Sequence, residues 1–112
     1  MSERVQVSFK LSKAMQIDFR KRMIDDGYGL RGKSRWVSEA VERLLEVENY
    51  PEYVHLSEEM TNLKQMETIF LDRTLIERLE DAILAVRTKF PLVEGVRSCI
   101  LRTSIMQRLL RG

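Results

Sequence analysis

The chain has one cysteine, Cys99, one histidine, His55, and two prolines in 112 residues. A single cysteine excludes an internal disulfide, and with a lone histidine it leaves no ligand cluster of the kind zinc sites use. No carboxylate pair is framed by a pocket pattern. The sequence therefore predicts no enzyme, no metal and no cofactor. No apolar run approaches the roughly 20 residues needed to cross a bilayer. The N-terminus, MSERVQVSF, lacks the apolar stretch of a signal peptide. These absences predict a cytoplasmic protein with no membrane partner.

Basic charge is missing from the middle of the chain. Residues 49–63 hold three Glu and no Lys or Arg, whereas residues 1–48 and 64–112 carry net charges of +2 and +3. Two mildly basic lobes flank an acidic spacer, a distribution that permits nucleic-acid binding without demanding it. At 112 residues, 44% hydrophobic, the chain is one compact domain or two very small ones. A unit of about 45 residues buries too little surface to be stable alone, which favours two units sharing a core.

What is present is said twice. Residues 4–15 read RVQVSFKLSKAM and residues 64–75 read KQMETIFLDRTL. In the first, Val5, Val7, Phe9 and Leu11 alternate with Arg4, Gln6, Ser8 and Lys10, the period of a half-buried strand. Each run stops at a capping residue, Ser12 or Asp72, with an apolar residue three further on, Met15 or Leu75. Ser12 predicts a helix whose stripe is Met15, Phe19 and Met23, ended by Gly27 and Gly29. A second helix, opening at Ser34, carries Trp36, Val37, Ala40, Val41, Leu44 and Leu45 on one face. In the second copy the stripe Leu75, Leu79, Ala82, Ile83 and Val86 runs to Pro91. A last helix from Ser98 buries Ile100, Leu101, Ile105, Leu109 and Leu110. Cap-to-cap spacing is 22 residues in the first copy and 26 in the second, which means one more helical turn or a longer loop at PLVEG. The expected organisation is a first unit over 1–49, a spacer over 50–63 with Ser57 capping a short helix through Leu63, and a second unit over 64–112.

This order and phase resemble the ribbon-helix-helix (MetJ/Arc) family of DNA-binding proteins, with both halves of the usual dimer in one polypeptide. The matching positions are Val5–Leu11, Ser12, Met15 and Ser34, then Gln65–Leu71, Asp72, Leu75 and Ser98. The resemblance implies an α+β fold, mostly α, in which a two-stranded antiparallel ribbon is backed by four main helices as a pseudo-dimer. It implies sequence-specific binding of double-stranded DNA, as a transcriptional regulator such as a repressor, or as an accessory factor at a plasmid's transfer origin in conjugation.

The residues offer candidate roles. A two-stranded ribbon fits the major groove. On the outward face, Gln6 matches adenine, Lys10 matches guanine, and Ser8 and Thr68 suit either. Met66 and Phe70, outward in the second copy, offer apolar contact only. The resemblance places the DNA backbone at the second-helix N-termini, where orphan N–H groups attract phosphate. Lys33, Ser34 and Arg35 stand at one, Arg97 and Ser98 at the other, and Arg4 flanks the ribbon. Glu67 falls on the inward side, so it must lie at a frayed end or find a partner. Each candidate has a plainer explanation, since polar residues line any half-exposed strand and basic residues cap ordinary helices. The alternative function is protein interaction, either as an antitoxin-like module or through a degenerate ribbon whose Met66 and Phe70 dock a protein; the expected partners are double-stranded DNA with self-association on it, or a protein. Cys99 and Trp36 read as core residues, and His55 as a surface residue.

Overall fold

The computed structural model describes residues 3–111. Strand β1 (Arg4–Leu11) leads into helix α1 (Lys13–Asp25), a 3₁₀ turn (Leu30–Gly32) and helix α2 (Lys33–Leu45). After α3 (Tyr50–Ser57) come β2 (Gln65–Asp72), α4 (Arg73–Lys89) and α5 (Val96–Arg111). The result is an α+β fold with a two-stranded sheet and, among the described residues, five α-helices.

The two strands pair antiparallel in register from Arg4 opposite Asp72 to Leu11 opposite Gln65. Their alternation sends Val7, Phe9, Leu11, Ile69 and Leu71 into the core with the helices. Phe19 and Trp36 pack at its centre, ring centroids 5.1 Å apart and tilted, a favoured aromatic geometry. Helix α2 packs on α5; α5 also packs on β1 and α2 on β2, so elements from both ends of the chain share one core.

Local chemistry explains most boundaries. Ser12 accepts the Met15 N–H at 3.2 Å, as an N-cap should. Asp72 holds the N-cap position of α4 but makes no side-chain cap bond. Instead the Arg73 N–H donates to Glu3 O at 2.8 Å. Gly27, at φ +82°, takes the left-handed turn after α1 that other residues resist. Helix α4 has 17 residues against 13 in α1; the longer second spacing is one extra helical turn.

Four expectations are corrected. Ser34 and Ser98 do not open their helices, since α2 begins at Lys33 after Gly32 and α5 at Val96. Turn-forming glycines precede both helices, and the Cys99 N–H closes the first turn of α5 on Gly95 O at 3.0 Å. Ser57 ends α3 rather than opening a helix, because Pro51 suits a first turn, where its missing N–H is not needed. The Ser57 hydroxyl donates to Val54 O at 2.7 Å. Leu110 is 74% exposed, and the buried position near it belongs to Arg108. The Arg108 guanidinium lies over the Trp36 ring at 4.4 Å and donates to Trp36 O at 2.7 Å. Arg22 then donates to the end carbonyls of Arg108 and Leu109, tying α1 to α5.

Candidate nucleic-acid interface

The register brings the six proposed base-reading residues onto one face of the ribbon. Gln6 lies opposite Phe70, Ser8 opposite Thr68, and Lys10 opposite Met66. Gln6, Ser8, Lys10, Met66 and Phe70 are exposed, and Thr68 is half-buried. The Ser8 and Thr68 hydroxyls share a hydrogen bond of 3.0 Å across the centre. At one end Arg4 donates to Phe70 O at 3.3 Å, with its guanidinium 5.6 Å from the ring centroid. Each cross-strand pair thus joins one polar side chain from β1 to a less polar one from β2.

Two grooves flank the ribbon and differ in charge. One is lined by Arg4, Ser34, Arg35, Phe70 and three acids, Glu39, Glu42 and Asp72. The other is lined by Ser8, Lys10, Met66, Ser98 and Arg102, with no acidic side chain. The second is the more favourable surface for a phosphate.

The expected phosphate contacts divide accordingly. Ser34 is already engaged: its hydroxyl accepts the N–H of Phe70 at 2.9 Å. That N–H faces away from β1, so the bond satisfies an otherwise open strand edge. At the other end Arg102, rather than Ser98, meets the strand, donating to Lys10 O at 3.3 Å and to Cys99 Sγ at 3.3 Å. Arg102 is only 7% exposed, so it joins α5 to β1. Arg97 is exposed beside Ser98. Arg35 is exposed, its guanidinium 4.5 Å from the Tyr28 ring centroid.

Lys33 is already paired with a carboxylate. Its Nζ donates to Glu67 Oε1 at 3.0 Å. Glu67 is 1% exposed, opposite Phe9 on the core side of the ribbon. Gln16 donates to it at 2.8 Å, and Arg20 through Nε and Nη2 at 3.0–3.2 Å. Burial pushes the Glu67 carboxyl up, but hydrogen bonds from Gln16 and Lys33 and the charges of Lys33 and Arg20 outweigh it, so its pKa lies below the ordinary value. The inward phase of Glu67 signalled that a partner was needed. That Gln16 and Arg20, one turn apart on α1, would supply it depended on how α1 packs.

A second polar cluster stands behind α2. The Tyr28 hydroxyl donates to Glu39, and Arg108 donates to Glu39 at 3.2 Å and to the Tyr28 oxygen at 3.1 Å. The Tyr28 hydrogen bond, opposed by burial and aided by Arg108 and Arg35, lowers the Glu39 pKa. Trp36 donates its indole N–H to Asp26 at 2.9 Å, a satisfied core tryptophan. Cys99 is buried. His55 is exposed and stacks on Phe90 at 4.2 Å.

Among the described residues, no three His, Cys, Asp or Glu side chains gather as a metal site, and no helix is long and apolar enough to cross a membrane. Comparison with protein-family models, curated proteins and solved structures finds no match for this chain.

Proposed function

We propose that the chain is a single-chain pseudo-dimer of two ribbon-helix-helix units that binds double-stranded DNA sequence-specifically, with its ribbon in the major groove. Four helices, α1, α2, α4 and α5, back that ribbon, and α3 belongs to the spacer. The observation that carries this proposal is the outward face itself. Gln6, Ser8 and Lys10 stand exposed on a two-stranded antiparallel ribbon, the width of element that the major groove, about 12 Å across, admits. Arg35 and Arg97, at the starts of α2 and α5, flank it as backbone contacts. A regulator of transcription, or an accessory factor at a plasmid transfer origin, uses this type of binding.

Met66 and Phe70, 56% and 44% exposed, favour a second proposal, in which the ribbon docks a protein. Salt titration separates the two. Binding to random duplex DNA should weaken linearly in log K against log salt, because each neutralised phosphate releases counterions. A protein-docking module should show no such binding. Footprinting on the DNA flanking its own gene would then locate a specific site.

A further inference from the structure

The strand register extends the DNA-binding proposal to the sequence of the target, an extension that rests on that proposal. The two ends of the ribbon face are chemically different. One end pairs Gln6 with Phe70, and the other pairs Lys10 with Met66. Side chains directly opposite on an antiparallel ribbon have Cβ atoms about 4.5–5.5 Å apart, so each pair meets the same base pair or its neighbour.

We infer that this ribbon reads a non-palindromic site, an A·T base pair under Gln6 and Phe70 and a G·C base pair under Lys10 and Met66. Gln is the bidentate partner of adenine N6 and N7, and an aromatic ring packs on the methyl group of thymine. Gln6 and Phe70 therefore suit the two bases of one A·T pair or of adjacent ones. Arg4 lies over the Phe70 ring and donates to its carbonyl, which holds the ring at the ribbon's end. Lys10 suits guanine O6 and N7, and Met66 beside it presents only a weak thioether acceptor to the amino groups of cytosine or adenine. Between them the Ser8 and Thr68 hydroxyls are bonded to each other, and hydroxyls serve either type of base pair. The centre of the site should thus discriminate least.

The spacing is set by the backbone. Gln6 and Lys10 are four positions apart on one strand, about 13–14 Å at the strand rise. Base pairs stack about every 3.4 Å, so the A·T and G·C determinants should lie about four base pairs apart. The asymmetry therefore runs along the ribbon as well as between its strands, each end combining one polar side chain from β1 with a less polar one from β2.

The test is selection of the full chain on a random-sequence duplex library, followed by titration of single-base-pair variants of the enriched site. The expected result is a non-palindromic site with the two determinants at that spacing. Gln6→Ala should erase discrimination at the A·T position alone, and Lys10→Ala at the G·C position alone. Each loss should be about 5- to 150-fold. The double variant Gln6→Met with Phe70→Lys gives both strands the same outward order, Met first and Lys four residues on, so the ribbon gains two-fold symmetry about the Ser8 and Thr68 pair and should select an inverted repeat. All of these side chains except Thr68 are exposed, so an unchanged melting curve controls for folding. A wild-type inverted repeat, or loss at the same base pair from both alanine variants, would overturn this inference and leave DNA binding standing. Absence of any salt-dependent duplex binding would overturn DNA binding itself.

Discussion

Arg20 of α1 and Glu67 of β2 stand 47 positions apart and meet as a forked ion pair, Nη2 to Oε2 at 3.0 Å. A carboxylate therefore sits on the core side of the ribbon at a position that Val7 fills in the first strand. Three side chains, Gln16, Arg20 and Lys33, compensate its lost hydration, and two of them bear a positive charge.

Removing a cation should harm the fold more than removing the whole arrangement. Arg20→Ala or Lys33→Ala leaves Glu67 buried with fewer donors, and each should lower the unfolding free energy by about 1–3 kcal/mol. The lower part of that range applies to Arg20, which is 45% exposed and partly solvated. Glu67→Val leaves two cations that already reach water, and should change stability by less than about 1 kcal/mol. Urea denaturation of the three variants measures this. A larger loss from Glu67→Val than from Lys33→Ala would contradict it.

Acid should expose the same group. The Glu67 pKa lies below its ordinary 4.5 in the folded chain, so the folded state holds that proton less tightly than the unfolded state. Its stabilisation is complete above the unfolded value and is lost as pH falls through the depressed folded one. Glu39 acts in the same direction. The melting temperature should fall as pH drops below about 5, and less steeply in Glu67→Gln. Parallel curves for the two proteins would remove Glu67 from the acid response.

The two ends of the ribbon should respond differently to loss of a serine hydroxyl. Ser34→Ala frees the Phe70 edge N–H and should cost about 0.5–1 kcal/mol, modest because the bond is exposed. Ser98→Ala should be neutral within about 0.5 kcal/mol, since Arg102 makes the strand contact at that end. Equal losses in chemical denaturation would count against unequal ends.

On DNA, Arg97→Ala and Arg35→Ala should each reduce the slope of log K against log salt by about 0.9, the value for one phosphate contact. Lys33→Ala should leave that slope unchanged, because its ammonium is committed to Glu67. A reduced slope for Lys33→Ala, measured by fluorescence anisotropy over a salt series, would place Lys33 on the backbone after all.

Periodicity in the sequence determined the strands, the helix stripes and the outward set of Gln6, Ser8, Lys10, Met66, Thr68 and Phe70, because alternation and the 3.6-residue stripe are local properties. Turn chemistry was legible at Ser12 and Gly27 for the same reason. It misled at Ser34, Ser98 and Ser57, none of which opens a helix; the hydroxyls of Ser34 and Ser57 bond elsewhere. Only the tertiary structure decided which strand residues face each other, and so that Gln6 meets Phe70 and Lys10 meets Met66. It alone set Lys33, Arg20 and Gln16 on Glu67, and buried Arg102 and Arg108 while leaving Leu110 in water. A charged side chain's fate depends on which distant groups arrive beside it. Those arrivals are set by packing between elements far apart in the chain, which no local pattern records.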